Sequence, residues 1–261
     1  MRLALILAAS AASLCAQLAP PNDAGVSIGH IHLMSADPEA QKKIFVGALG
    51  AEVTHSGSLE LLRLPGVFMI VGKARGPVEG SEGSAVPHFG FLVKDPRAMH
   101  AKLAAAGLTF SGENATTGQF MAHFPDNVVI EFTPDASLDM PLKFHHIHIG
   151  TPDMEKGRAW YVKTFGARSG SRGAFLSAFI PGGEVDFRKT DAAQAPTKGR
   201  ALDHIGFEVK GLEAFCKKLE AEGYKFEIPY REMPQLGGLK LAFLVDPDGV
   251  RIELTEGLAG R

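Results

Sequence analysis

Short hydrophobic strands and amphipathic helices alternate along the chain from about residue 26 onward. Each helix carries apolar side chains at helical spacing, for example Phe45 and Leu49 in the first of them. Aspartates that suit a helix N-cap precede the first three helices: Asp37, Asp95 and Asp153. Glycines that suit a left-handed C-cap follow all four: Gly50, Gly107, Gly166 and Gly223. Strand-like residues come after each glycine, so the pattern predicts a βαβββ unit that occurs four times.

A histidine opens each of the four units at a constant interval. The four positions are His30, His88, His146 and His204, and the interval from 30 to 88 recurs from 88 to 146 and from 146 to 204. A single histidine on an apolar strand is most often a packed core residue. Four at one interval, each with a similar strand around it, indicate an internal repeat and a shared role.

The units alternate between two types. Units one and three open with His-x-His, whereas units two and four open with His-x-Gly-Phe and close with Pro-Asp-x-Val-x-Ile-Glu, which ends at Glu131 and Glu253. This alternation predicts that a two-unit segment was duplicated. We therefore expect two similar domains, residues 26–136 and 143–257, joined by a short linker near Asp135 to Leu142.

Paired βαβββ units with a histidine on the first strand and a glutamate near the end of the last resemble the vicinal oxygen chelate superfamily. That superfamily includes glyoxalase I, methylmalonyl-CoA epimerase, extradiol ring-cleavage dioxygenases, and the fosfomycin and bleomycin resistance proteins. The resemblance covers about residues 26–257 and implies an α+β fold of two tandem domains. It also implies that two units form a cup of curved sheet, with a metal held by residues on the first and fourth strands of each unit.

Matched position by position, the resemblance predicts two metal sites: His30, His88 and Glu131 in the first domain, and His146, His204 and Glu253 in the second. The fourth position of the family pattern is Ile70 in the first domain and Asp186 in the second. Asp186 is therefore predicted to act as a fourth ligand or a base, and Asp186 and Glu253 are the catalytic candidates. His32 and His148 lie two positions after the ligands His30 and His146, on the same strand face, and are assigned to the substrate pocket or to supporting the ligands.

Two imidazoles and a carboxylate with open coordination positions suit a divalent metal ion such as Fe, Mn, Ni or Zn. Such an ion can bind two neighbouring substrate oxygens and stabilise the enolate or enediolate that forms when a proton leaves. The first hypothesis is therefore a metal-dependent lyase or isomerase that acts on a small oxygenated substrate. One alternative is a metal-free protein that sequesters a ligand, as the resistance proteins do. The other is an extradiol Fe(II) dioxygenase, in which a further histidine and tyrosine are expected; here unit four offers Tyr230 and unit two offers His123, but neither offers both.

Composition and charge limit the classes of partner that the chain is expected to bind. The chain has 27 Lys and Arg against 29 Asp and Glu, a formal charge of -2, which does not favour a nucleic-acid partner. Arg2 followed by the apolar run from Leu3 to Leu14 predicts a signal peptide within residues 1–20, export to the periplasm or medium, and no membrane span. Loss of that segment leaves Cys216 as the one cysteine of the chain. It is predicted to be an apolar packing residue on a helix.

Overall fold

The computed structural model describes residues 18–261, and the four predicted units follow one another along it. Its helices are α1 (Pro38–Gly47), α2 (Pro96–Ala105), α3 (Met154–Phe165) and α4 (Leu212–Ala221). Within residues 18–261, no helix is long and apolar enough to cross a membrane. The predicted signal peptide lies almost entirely outside the described residues and stays a prediction.

Each unit contributes four strands. Units one and two contain β1 (Val26–Ser35), β2 (Glu52–Ser56), β3 (Leu59–Leu64), β4 (Val67–Lys73), β5 (His88–Val93), β6 (Thr109–Ser111), β7 (Phe120–Phe124) and β8 (Val128–Pro134). Units three and four contain β9 (Leu142–Thr151), β10 (Arg168–Arg172), β11 (Phe175–Ile180), β12 (Gly183–Lys189), β13 (Leu202–Val209), β14 (Phe226–Met233), β15 (Leu239–Val245) and β16 (Arg251–Glu256). The predicted α+β class and the βαβββ order are confirmed.

The predicted helix caps form as the sequence indicates. The three capping side chains, Asp37, Asp95 and Asp153, each accept a hydrogen bond from the backbone N–H three residues later. In the fourth unit the cap position is Gly211, which has no side chain to accept one. The Glu256 carboxylate replaces it by accepting from the N–H groups of Gly211 and Leu212.

The sixteen strands form two eight-stranded sheets, and the units share these sheets in an order that the sequence does not predict. Sheet one runs β14-β15-β16-β13-β1-β4-β3-β2, and sheet two runs β10-β11-β12-β9-β5-β8-β7-β6. Unit one therefore shares a sheet with unit four through the antiparallel pair β1–β13, and unit two shares one with unit three through β5–β9. The sheet that two units form thus joins unit one to unit four and unit two to unit three, rather than the two units of each duplicated segment.

The lengths of the connections explain this pairing. Val93 at the end of β5 pairs with Pro134 at the end of β8 and also with Leu142 at the start of β9. The short linker 135–141 therefore has only to pass the end of one strand to bring the chain back into the same sheet. The connections 74–87 and 190–201 are longer and cross from one sheet to the other.

Units that are neighbours in sequence still pack together, but across the space between the sheets. The ring of Phe45 on α1 stacks on Phe124 of unit two at 5.3 Å, and Phe165 on α3 lies 4.7 Å from Phe207 of unit four. The segments 26–136 and 143–257 are thus each a packed pair of units whose strands belong to different sheets. Most buried apolar side chains of both pairs belong to one core.

Cys216 is 2% exposed on α4, between the buried residues Phe215 and Leu219. Burial raises the pKa of its thiol to about 12. The thiolate, which is the reactive form, is therefore scarce at neutral pH. This environment confirms that Cys216 is an apolar packing residue.

Candidate metal centres

The structure brings the predicted ligands together in a new combination. Two groups of buried side chains have ligand atoms within 4.8 Å of one another: site one, with His30, His204 and Glu253, and site two, with His88, Glu131, His146 and His148. The predicted grouping of His30 with His88 and Glu131, and of His146 with His204 and Glu253, is wrong. The cause is the sheet order, which places unit one beside unit four.

In site one, two imidazoles converge on one carboxylate oxygen. The Nε2 atoms of His30 and His204 each lie 2.9 Å from Oε2 of Glu253. Burial alone would raise the pKa of Glu253, but the bonds to His204 and His30 outweigh it and hold that pKa below its usual range. Three donors facing one buried point are the arrangement that a divalent cation requires.

A second layer of charge orients His204. Its Nδ1 lies 2.6 Å from Oδ1 of Asp203, which also accepts a hydrogen bond from Nη1 of Arg251 at 2.7 Å. Burial would lower the pKa of His204, but the bonds to Asp203 and Glu253 raise it. With its Nδ1 proton directed at Asp203, the imidazole presents Nε2 to Glu253, as carboxylate-supported metal ligands do. Asp203 and Arg251 were not singled out from the sequence.

The glycine of the His-x-Gly-Phe motif makes room for the histidine of the neighbouring unit. Gly206 lies opposite His30 across β1–β13, and Gly90 lies opposite His146 across β5–β9. A Cβ at Gly206 would lie 2.1 Å from the His30 ring, and one at Gly90 would lie 2.4 Å from the His146 ring. The glycine of the motif is therefore required where a neighbouring strand places a histidine ring against it. Which strand that is can be seen only in the structure.

Site two has one more donor and a more polar surround. Oε2 of Glu131 lies 3.1 Å from Nε2 of His88 and 3.5 Å from Nε2 of His146. Burial would raise the pKa of Glu131, but the imidazoles of His146 and His88 lower it. The Nε2 atom of His146 is buried and makes no hydrogen bond within the described chain. A buried nitrogen that faces a carboxylate without a partner fits a bound cation.

Asp186 does not lie with Glu253 and His204, because β12 belongs to sheet two. Its carboxylate accepts hydrogen bonds from Arg172 at 2.5 and 2.9 Å and from the Ser177 hydroxyl at 2.5 Å. It is 4.0 Å from Nε2 of His148, which is the fourth donor of site two. The prediction that Asp186 serves the same site as Glu253 is wrong, and its oxygens are already engaged by other side chains.

A cavity of about 140 Å³ opens beside site one. Its wall contains the three candidate ligands and also His32, Ile70 and Phe243. A larger groove of about 760 Å³ lies between α1 and α2, but its wall contains no residue of either site. Site one therefore borders a space that a small molecule can enter.

The residues expected of a dioxygenase lie elsewhere. His123 accepts or donates a hydrogen bond with Ser111 and borders the larger groove, and Tyr230 donates to Glu232 near the surface. Neither side chain is in the wall of the site-one cavity.

Known proteins share this architecture. A family model described as the Glyoxalase/Bleomycin resistance protein/Dioxygenase superfamily matches residues 143–254. The uncharacterized protein YwkD of Bacillus subtilis is 31% identical over 123 residues, which are 43% of this chain and 94% of YwkD. The chain belongs to the glyoxalase/bleomycin resistance protein/dioxygenase superfamily. The predicted resemblance to the vicinal oxygen chelate proteins is thereby confirmed.

Solved structures with the fold of this superfamily extend over the whole tandem arrangement. Glyoxalase I of Zea mays aligns with a TM-score of 0.68 at 14% identity, covering 88% of this chain and 92% of the maize chain. A putative dioxygenase of Bacillus subtilis aligns with a TM-score of 0.66 at 16% identity, covering 94% of this chain and 88% of its own. At these identities the likeness establishes the fold.

In this superfamily member, replacing Arg172 with leucine will lower the free energy of unfolding by about 3 kcal/mol. The guanidinium pairs with Asp186 and, at 2.6 Å, with Glu184, and the Asp186 side chain is fully buried. Its removal leaves buried carboxylates without a cation. Urea denaturation followed by circular dichroism measures the loss.

The control for Arg172 is Lys217→Met, which breaks an exposed ion pair with Glu213 on α4. Because both partners are in solvent, we expect a change within about 0.5 kcal/mol. Equal losses for the two variants would contradict the role given to Arg172.

Proposed function

We propose that this chain is a metal-dependent enzyme that binds a small oxygenated substrate at site one through two neighbouring oxygens. The observation that carries the proposal is the convergence of His30, His204 and Glu253 beside a cavity. Three protein donors leave coordination positions open, which distinguishes a catalytic metal from a structural one. Site two offers a fourth candidate donor, His148, but its Nε2 lies 3.3 Å from Nη2 of Arg172.

The first candidate reaction is that of a lyase or isomerase, and glyoxalase I of Zea mays has the same fold. When bound, a divalent ion stabilises the negative charge of an enolate or enediolate. His30, His204 and Glu253 would hold the ion. His32 is the one imidazole in the cavity wall besides His30 and His204, and it would face the substrate.

The second candidate is an Fe(II) dioxygenase, and one observation favours it. Ile70 occupies the position opposite His32 where a fourth ligand would stand, so site one keeps only two histidines and one carboxylate. That donor set is used by non-haem Fe(II) oxygenases. The putative dioxygenase of Bacillus subtilis has the same fold.

The test compares metal content in the full chain with that of two matched variants, His204→Ala and His88→Ala. These residues occupy the same place in units four and two. Protein purified without chelator and reloaded with Fe, Mn, Zn or Ni is measured by plasma mass spectrometry. We expect His204→Ala to lose one equivalent from site one and His88→Ala to weaken only site two.

Turnover is then assayed with 2-oxoaldehydes, hydroxyketones and, in an oxygen electrode, catechol. Activity that disappears in His204→Ala and persists in His88→Ala supports the proposal, and oxygen consumption selects the dioxygenase. Absence of bound metal under every loading condition would overturn the proposal and favour a metal-free ligand-binding protein.

A further inference from the structure

We infer that site one accepts a compact, uncharged substrate with an apolar body, whose two neighbouring oxygens face His30, His204 and Glu253. This inference rests on the proposed function and narrows it to a substrate class. It depends on the size of the cavity, on the side chains of its wall and on the segment that covers it.

The volume of the cavity limits the size of the substrate. Its volume of about 140 Å³ is close to the roughly 150 Å³ at which an apolar protein cavity accommodates benzene. By the same comparison, a body of about six carbon atoms whose two oxygens are directed at the ligands is about the largest that the cavity holds. A bulky conjugate or a nucleotide-bearing carrier exceeds this space.

The side chains of the cavity wall determine which charge the substrate can carry. Apart from the three ligands and His32, it consists of leucines and Ile70, Phe243 and Thr255, with no lysine or arginine. The Thr255 hydroxyl is engaged with the Glu208 carboxylate. An anionic substituent in this wall would lose its hydration without gaining a cation, which is costly in a buried site.

Nearby guanidinium groups are also engaged elsewhere. Arg251 pairs with Asp203 and Glu227, and Arg261 donates to the carbonyl oxygens of Gly257 and Gly237. Recruiting either of them to a substrate carboxylate would break these contacts. These two guanidinium groups therefore do not supply the missing cation.

Two turns from opposite ends of sheet one meet over the cavity. The Ser56 hydroxyl donates to the carbonyl of Leu236 at 2.7 Å, and the N–H of Ser58 donates to the carbonyl of Gln235 at 3.0 Å. The contact is so close that a Cβ at Gly57 would lie 2.3 Å from the backbone nitrogen of Gly237. This bridge supports Leu236, which is part of the cavity wall.

Site two shows that the fold itself permits a charged surround. Where site one has Ile70 opposite His32, site two has Asp186 opposite His148. Where β2 ends in Ser56, β10 ends in Arg172, which is held by Asp186. The apolar wall is thus particular to site one.

The test uses two catechols that chelate through the same pair of oxygens and differ in a remote group: 4-methylcatechol, which is uncharged, and 3,4-dihydroxybenzoate, which carries a carboxylate. The full chain is loaded anaerobically with Co(II), its metal content is measured, and binding is followed by the visible absorption of the cobalt. The His88→Ala variant, loaded in the same way, removes the signal of site two. We expect 4-methylcatechol to bind at least tenfold more tightly than the benzoate.

A charge-insertion pair completes the test. Leu59→Arg places a cation in the cavity wall, and Phe175→Arg does so at the matching position of site two. We expect Leu59→Arg to improve binding of the benzoate at least tenfold and Phe175→Arg to leave it unchanged, with circular dichroism confirming that both are folded. A loaded site one that binds the benzoate as tightly as 4-methylcatechol, or binds neither, would overturn this inference alone. Failure of site one to bind metal would overturn the proposed function as well.

Discussion

Alanine at position 206 will displace His30, empty site one of metal and destabilise the fold by about 3 kcal/mol, the upper end of the usual cost of overpacking. The added Cβ would lie 2.1 Å from the imidazole of His30, far inside van der Waals contact. His30 is fully buried and lines the cavity, so its ring can relieve the clash only by leaving its position beside Glu253. Displacement of the ring removes one of the two imidazoles that face Glu253.

Metal content and urea denaturation measure the two effects of Gly206→Ala. Gly47→Ala at the exposed end of α1 is the control, because a Cβ there meets nothing within 4 Å, and we expect a slight stabilisation. Gly90→Ala should weaken site two and spare site one, since its Cβ would press on His146. A Gly206→Ala protein with both metals and unchanged stability would show that His30 is not held as described.

Local features of the fold could be predicted because their causes lie close together in the sequence. The caps at Asp37, Asp95 and Asp153 depend on a side chain and a backbone N–H three residues apart. The four unit boundaries depend on periodic apolar residues and on glycine stops. For the same reason position within a unit singles out the histidines and the glutamates, Glu131 and Glu253, that the structure gathers into two buried groups.

The combination of ligands could not be predicted, because the alternating order of units is compatible with two pairings. A unit of the first type can share a sheet with the unit that follows it or with one more distant, and both pairings join a His-x-His strand to a His-x-Gly-Phe strand. Only the ladders β1–β13 and β5–β9 distinguish them. The short linker 135–141 was the available signal, since a brief connection favours strands of one sheet.

Supporting residues were missed for a different reason. Asp203 is hydrogen-bonded to the adjacent His204, but it also accepts a hydrogen bond from Arg251. Arg172 forms an ion pair with Asp186 on another strand. These contacts join residues far apart in sequence, and no local pattern marks them. The glycine in His-x-Gly-Phe was visible as a motif, but its role depends on the ring of His30 or His146 from another unit.

Cleavage of the chain between its halves will leave one particle of full-chain mass rather than two separate domains. Each sheet takes its strands from both halves, and the ladders β1–β13 and β5–β9 cross between them. Separation would expose long unpaired strand edges and leave each half with only part of each site. A protease sequence inserted between Ala136 and Ser137, both exposed in the linker, permits the cut in the folded protein.

Size-exclusion chromatography with light scattering follows the cut protein, and the uncut insertion protein is the reference. The halves should co-elute with both metal equivalents and part only in denaturant, because His30 comes from the first half while His204 and Glu253 come from the second. Site two divides in the same way, with His88 and Glu131 in the first half. Two independent folded halves, each retaining one metal, would instead support the arrangement expected from the repeat alone. The experiment thus decides whether the duplicated segment or the shared sheet is the cooperative unit of this protein.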